Sequence, residues 1–168
     1  SSSGEFQWTT QFGTSASDFV MATAPDGAGG CFVAGFTLGS FGSANAGGND
    51  AWLARVDASG AVLWTRQLGT AGSDIAFAAA ADGSGGVFVS GSTRGALGGS
   101  PYNGGDDAFV ARFTSSGDVA WIWQAGGFLD DAARAVVSDG AGGCFVAGSC
   151  GANSFGASLG GLDAWLAR

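Results

Sequence analysis

Residues 50–64 read DAWLARVDASGAVLW, and residues 107–121 return the same pattern as DAFVARFTSSGDVAW. The chain stops inside a third copy, DAWLAR at 163–168. It starts inside another, because SSGEFQW at 2–8 matches residues 115–121. The sequence is therefore a repeat array with a period of 56 or 57 residues, forming a single domain over residues 1–168. Its repeats are residues 4–59, 60–116 and 117–168.

Several residue types keep their place in every copy, and register kept at so many positions is not explained by chance. We interpret these positions as structural, and we expect the tryptophans to be largely buried on one face of equivalent strands. The repeated tryptophans are Trp8, Trp64 and Trp121, the glycines are Gly35, Gly91 and Gly148, and one set of aspartates is Asp18, Asp74 and Asp131.

Each repeat contains four strand-like runs. In the first, Phe6, Trp8, Thr10 and Phe12 lie on one face, and the polar residues at 7, 9 and 11 lie on the other. This alternation is the pattern of a strand with two unlike faces. The second run is rich in alanine, so we expect another element to approach it closely. The runs are 6–12, 62–68 and 119–125; 18–24, 74–80 and 131–137; 31–37, 87–93 and 144–150; and 51–56, 108–113 and 164–168. No amphipathic segment of helical length has caps at its ends.

Glycine supplies 33 of the 168 residues, yet 46% of the residues are hydrophobic. Disordered chains lack such apolar content, so the glycines are expected in turns between short strands. Asp26-Gly27 is one such turn, since Asp-Gly favours the positive φ angles of tight hairpins. Four short antiparallel strands per repeat of this length predict an all-β fold of β-propeller blades. A β-helix would repeat at a much shorter period, and a β-sandwich needs about 100 residues.

The pattern also resembles the bacterial β-propeller repeat of the SBBP type. The resemblance rests on an Asp that opens a small-residue strand, then Asp-x-x-Gly, as in residues 74–82 and onward. An aromatic-Val strand ending in Gly and Thr follows, then Asp-Ala-aromatic, then Ser-Gly before a Trp. In the second repeat these are residues 86–93, 107–109, 116–117 and Trp121. The family implies a propeller and an exported or cell-surface location, but no common activity. Kelch repeats are the weaker alternative, because their glycine pair ends a strand, whereas Gly29-Gly30 precedes one.

The alanine-rich run is expected to be the innermost strand of each blade, followed by the third and fourth runs and the next first run. The predicted blades are 18–68, 74–125 and 131–168, and the last lacks its outer strand. We expect strand 5–12 of the same or another chain to complete it. Three blades are fewer than the usual four to eight. Either two copies therefore join through their open ends, or the chain is an excerpt of a longer one.

The net charge of −8 argues against nucleic acid as a partner, and no apolar run is long enough to span a membrane. Histidine and lysine are absent, which removes the commonest general base and Schiff-base chemistry. The sequence predicts a non-enzymatic structural or protein-interaction module, without catalytic residues or cofactor, in a larger assembly. A carbohydrate- or Ca²⁺-binding, lectin-like propeller is the alternative. A third interpretation is a non-catalytic portion of a larger propeller enzyme.

A second aspartate set, which opens the fourth run, has two interpretations. The carboxylates either accept hydrogen bonds from backbone groups of adjoining loops or bind Ca²⁺ together with loop carbonyls. The Ca²⁺ candidates are Asp50, Asp106, Asp107 and Asp163. We favour the hydrogen-bonding role, because a Ca²⁺ site usually gathers several carboxylates in one short loop.

Other side chains stand out. A glycan site would combine aromatic residues with the long-loop asparagines Asn45, Asn49, Asn103 and Asn153. Arg134 replaces Met21 and Phe77 at its repeat position, so it either lines a central channel or pairs with a neighbouring aspartate; we favour the channel. The cysteines are expected to be free thiols, with the first two buried, because Val87 fills their repeat position. They are Cys31, Cys144 and Cys150.

Overall fold

The computed structural model describes residues 4–151 and 154–168. In this part the fold is all-β, with eleven strands in three antiparallel sheets and a short 3₁₀ turn at Leu97–Gly99. No helix in these residues is long and apolar enough to cross a membrane. Sheet 1 contains β1 (Asp18–Pro25), β2 (Cys31–Thr37), β3 (Asp50–Val56) and β4 (Val62–Leu68). Sheet 2 contains β5 (Asp74–Ala81), β6 (Val87–Thr93), β7 (Asp107–Phe113) and β8 (Val119–Ala125). Sheet 3 contains β9 (Ala132–Ser138), β10 (Cys144–Cys150) and β11 (Asp163–Ala167).

In each sheet, neighbouring strands follow each other in the chain, so every connection joins antiparallel neighbours. Strands occur at all the predicted second, third and fourth runs, with end shifts of one residue. The first run is a strand in repeats two and three, as β4 and β8. The predicted strand at 6–12 is wrong, because residues 4–13 adopt no regular strand. A strand needs hydrogen-bonded partners, and no described strand pairs with this segment.

The first strands of the three sheets carry the same irregularity. The pairing register of β1, β5 and β9 skips one residue, Met21, Phe77 and Arg134 respectively, which forms a β-bulge. The repeated glycines lie directly opposite these bulges. A Cβ on Gly35 would collide with the carbonyl oxygen of Phe19, and Gly91 meets Ile75 in the same way. Close backbone approach therefore fixes glycine at this repeat position.

The two larger apolar clusters lie between sheets, and a smaller one belongs to sheet 1 alone. Leu53 of sheet 1 packs in one cluster with Val87, Val89 and Phe109 of sheet 2. Phe88 and Val110 of sheet 2 belong to a second cluster with β10 and β11. Strand β5 contacts both β1 and β9, so the alanine-rich strands are neighbours at one side of the array. Their small side chains permit this close approach.

Two burial predictions need correction. Trp8 is 41% exposed and Trp121 is 38% exposed, while Trp64 is half-buried. Trp8 and Trp64 donate to carbonyl oxygens of turns, and Trp64 also packs against the core between sheets 1 and 2, while Trp121 packs on Phe88. The cysteines are free thiols, but only Cys144 of the predicted pair is buried. Cys31 is half-buried at the margin of an apolar cluster of sheet 1 that includes Val33 and Val56.

Candidate functional site

The aspartates that open the first strands are hydrogen-bond acceptors for adjoining loops. Asp74 accepts bonds from the Thr70 backbone N–H (2.6 Å), the Thr70 hydroxyl and the Thr93 hydroxyl. Asp18 accepts the equivalent three from Thr14 and Thr37. Each carboxylate therefore ties the loop that precedes its strand to the end of the next strand.

Asp74 and Asp18 accept equivalent hydrogen bonds but differ in burial. Asp74 is fully buried between sheets 1 and 2, and desolvation raises the pKa of its carboxyl in spite of its hydrogen bonds. Asp18 is half-exposed in the open face of sheet 1. Burial also raises its pKa, but the hydrogen bonds from Thr37 and Thr14 outweigh this effect and the pKa is lowered. The same contacts thus give opposite shifts in pKa.

Asp131 occupies the equivalent place in sheet 3 and is fully buried. Its Oδ1 accepts a hydrogen bond from the Gly151 N–H at 3.0 Å. Its Oδ2 accepts from the Gly127 N–H (2.7 Å) and the Ser154 hydroxyl (3.0 Å). Both oxygens are therefore occupied by donors of this chain.

The aspartates that open the fourth-run strands bind a glutamine of the outer strand. Gln67 of β4 donates to Asp50 Oδ2 at 2.7 Å and to the Gly39 carbonyl. Gln124 of β8 donates to Asp107 Oδ2 at 2.9 Å and to the Gly95 carbonyl. Each glutamine oxygen also accepts a backbone N–H of the long loop. Outer strand, fourth-run aspartate and long loop are thereby joined in one network.

Sheet 3 has the aspartate of this network but no glutamine. Asp163 Oδ2 accepts only the Leu159 N–H, at 3.0 Å, among the described residues. The glutamine at the matching repeat position is Gln11, which lies in the N-terminal segment. This glutamine network was missed in the sequence analysis, although the recurrence of Gln11, Gln67 and Gln124 was a signal for it.

The N-terminal segment lies against sheet 1 as β4 lies against sheet 2. The Trp8 indole donates to the Ala58 carbonyl (2.9 Å), and the Trp64 indole donates to that of Ser115 (3.1 Å). The Thr10 hydroxyl donates to the Gly60 carbonyl at 2.7 Å, and the Arg66 guanidinium donates to the equivalent carbonyl of Gly117. Phe12 packs edge-on against Phe41 and Trp52. The segment therefore takes the place of an outer strand that precedes sheet 1.

An arginine clasp recurs in every repeat and was also missed. Asp82 accepts the Ser84 and Gly86 N–H groups through Oδ1 and Arg112 through Oδ2, at 2.7 Å. Burial raises the pKa of Asp82, but these hydrogen bonds outweigh it and the pKa is lowered. Asp26 with Arg55 and Asp139 with Arg168 form the same clasp. The paired spacing of these residues in the sequence was the available signal.

The four Ca²⁺ candidates do not converge. Asp106 pairs with Arg94 at 2.6 Å. Asp50 Oδ1 and Asp107 Oδ1 are buried without a hydrogen bond. Across residues 4–151 and 154–168, no three histidine, cysteine or acidic side chains come close enough to hold a metal ion. The fourth candidate, Asp163, contacts its own loop.

Two buried carboxylates face each other where sheet 2 meets sheet 3. A Cβ on Gly126 would collide with Asp107 Oδ1 and Asp131 Oδ2, so the two groups flank this glycine. Desolvation raises the pKa of Asp107, and the negative charge of Asp131 adds to the rise. The negative charge of Asp50 likewise adds to the desolvation that raises the pKa of Asp74. Each junction between sheets thus holds an aspartate oxygen, Asp50 Oδ1 or Asp107 Oδ1, for which the described residues supply no donor.

The remaining candidates are dispersed. The Arg134 guanidinium lies 4.3 Å from the Phe77 ring centroid, and no ion pair of the described residues includes it. Asn45 and Asn103 donate to loop carbonyls. Asn49 donates to the Ser73 hydroxyl. Asn153 falls outside the described residues. The channel and glycan interpretations therefore stay predictions.

No protein-family model matches this chain, and no curated protein matches it. The resemblance to SBBP-type repeats consequently stays a prediction that rests on the sequence pattern alone.

Proposed function

We propose that this chain is a segment of a β-propeller that acts as a non-enzymatic structural and protein-interaction module in a larger exported or cell-surface assembly. Two four-stranded sheets and one three-stranded sheet, with strands in chain order, support the blade interpretation. The observation that carries the proposal is the use of the repeated aspartates. They accept hydrogen bonds that join strands and loops, which is a structural task.

Catalysis by a carboxylate requires an oxygen within reach of a substrate. Asp74 and Asp131 are fully buried, and each accepts three hydrogen bonds from its own chain. The sequence also offers no histidine or lysine as an alternative base. These features support a scaffold, either on its own or as the non-catalytic portion of a larger enzyme.

One observation favours a second candidate, cation binding. Asp50 Oδ1 and Asp107 Oδ1 are buried acceptors without a donor, and a cation would satisfy them. The surrounding groups weigh against Ca²⁺, which needs six to eight oxygen ligands. Asp50 Oδ2 and Asp107 Oδ2 instead face N–H donors of loops and glutamines.

The melting temperature with and without millimolar Ca²⁺, together with a glycan array, tests the proposal. A structural role predicts no Ca²⁺-dependent shift and no glycan binding. Asp107→Ala is the matched variant. A melting shift that appears in the wild type and disappears in Asp107→Ala would contradict the proposal and establish the cation candidate. Reproducible glycan binding would contradict it in favour of the lectin-like candidate.

A further inference from the structure

Strand β11 has an unpaired outer edge, whereas its equivalents β3 and β7 are each covered by an outer strand. Unpaired N–H and C=O groups on an edge favour pairing with another strand. The face that follows β11 is also open. Leu166 is 73% exposed, while the equivalent Leu53 and Val110 are 2% and 3% exposed. Both the edge and the face of sheet 3 therefore lack a neighbour in the described chain.

The opposite end of the chain has the complementary features. Residues 5–12 carry the sequence pattern of an outer strand and already lie against sheet 1 in the outer-strand position. Val20 and Phe19 are exposed on the first strand of sheet 1, whereas Ala76, the equivalent of Val20, is buried against sheet 1. Gln11 makes no side-chain hydrogen bond in the described residues, and Asp163 lacks a glutamine.

Resting on the proposed function as a propeller scaffold, we propose that residues 5–12 of a second copy of this chain form the outer strand of sheet 3. Gln11 of that copy donates to Asp163 and binds the loop before β11, as Gln67 and Gln124 do in sheets 1 and 2. Sheet 1 of the second copy then covers Leu166.

The registers of the two complete sheets define the pairing. Trp52 lies opposite Gln67, and Phe109 lies opposite Gln124. By the same register, Gln11 lies opposite Trp165, Thr10 opposite Leu166 and Trp8 opposite Arg168. The contact is head-to-tail, so it closes only at a defined number of copies. Propellers contain four to eight blades. Two copies of the 168-residue chain bring six sheets together, which lies within this range.

Sedimentation equilibrium of the 168-residue chain tests this inference. The expected particle has twice the 16.4 kDa mass of one chain. Gln11→Ala should raise the dimer dissociation constant at least tenfold, because it leaves Asp163 and the loop without their partner. Gln7→Ala is the matched control, since residues 63 and 120, at the same repeat position, are Leu63 and Ala120 and have no such role. It should change the constant less than twofold.

Two results would overturn the inference. One is a monomer at a concentration on the order of 100 μM, which should lie far above the dissociation constant of a pairing of this extent. The other is a dimer that Gln11→Ala and Gln7→Ala affect equally, which would place the contact on another surface. Neither result bears on the scaffold proposal, whose test is binding of Ca²⁺ or glycans.

Discussion

The contact between sheets 1 and 2 and the contact between sheets 2 and 3 use equivalent residues but are closed to different degrees. The first leaves a cavity of about 10 Å³, which Phe109 and Phe113 line. The second leaves about 320 Å³ beside Trp121, Cys144 and Arg168. The end of β7 and the turn that follows it make the difference. Phe113 fills the first contact, and the turn at 114–117 binds Trp64 and Arg66 of the preceding sheet.

The comparison shows that an outer strand and the turn before it serve two sheets at once. The strand completes its own sheet through the glutamine network. Its tryptophan and arginine side chains also bind carbonyl oxygens of the turn that precedes the outer strand of the next sheet. Stability should therefore be highest where a sheet has both neighbours. The following predictions test that gradient from sheet 2 outward.

The largest effect is expected in the core between sheets 1 and 2. Phe109→Ala should lower the free energy of unfolding by about 4 kcal/mol, because Phe109 is fully buried among aliphatic neighbours. Trp165→Ala removes the equivalent residue of sheet 3, which lines an open cavity of about 450 Å³ together with Phe155 and Leu159, and it should cost clearly less in spite of its greater size. Urea unfolding of both variants measures this. Equal losses would show that sheet 3 is packed as well as sheet 2.

The second prediction compares Asp74 with Asp18, which accept equivalent hydrogen bonds. Asp74→Ala should cost about 3 kcal/mol, because Asp74 is fully buried and water cannot replace it as the acceptor for Thr70 and Thr93. Asp18→Ala should cost about 1 kcal/mol, because Asp18 is half-exposed and water can take its place as an acceptor. Chemical denaturation at pH 7 gives both values. Indistinguishable losses would mean that burial does not set the strength of these sites.

The third prediction concerns the arginine clasp of sheet 2. Arg112→Leu should cost about 2 kcal/mol at pH 7, because Asp82 stays buried without its cation. The lowered pKa of Asp82 means that its contribution is present above the unfolded-state pKa, about 3.9, and is lost as the pH falls through the folded-state value. Below about pH 4, the free energy of unfolding of the variant should accordingly change less with pH than that of the wild type.

Arg94→Leu is the control for the clasp. Arg94 and Asp106 form an exposed pair, so this variant should cost less than about 1 kcal/mol. Denaturation curves between pH 2 and pH 7 separate the two arginines. If Arg94→Leu changed the acid limb of the profile more than Arg112→Leu, the assigned role of the clasp would be wrong.

The smallest effect is expected for Asp107, one member of the buried carboxylate pair. Asp107→Asn keeps an acceptor for Gln124 and Asn103, and it replaces the unpartnered oxygen beside Asp131 with a donor. Because the pKa of Asp107 is raised, its ionised form carries a penalty above the folded-state pKa, and this penalty fades as the pH falls through that value. The variant should be neutral or up to about 1 kcal/mol more stable at pH 7.

Asp131→Asn is the matched comparison at the same junction. Both Asp131 oxygens accept hydrogen bonds, so an amide group would face a donor, and we expect a loss of about 2 kcal/mol. Thermal unfolding at pH 7 and pH 4.5 tests the pair. The gain of Asp107→Asn should shrink at the lower pH. A gain that grows there would contradict the sign of the pKa shift.

The repeat pattern was sufficient for the strands and their order, because alternation and Asp-Gly turns are local signals. It failed at residues 6–12, since strand formation there depends on a partner that lies elsewhere. It also failed for Trp8 and Trp121, because the burial of a side chain depends on its neighbours in space and the repeat pattern does not show these. The glutamine network and the arginine clasp link residues 17 to 30 positions apart, so only their recurrence could have indicated them.

The central claim is that residues 5–12 of another copy supply the outer strand of sheet 3. Hydrogen–deuterium exchange measured for each strand is its most direct test. At low micromolar concentration, amides of β11 should exchange much faster than those of the equivalent β7. At a concentration of about 100 μM, β11 and residues 5–12 should gain protection together, while β7 stays unchanged. Fast exchange of β11 at every concentration, or protection of β11 without residues 5–12, would contradict the account.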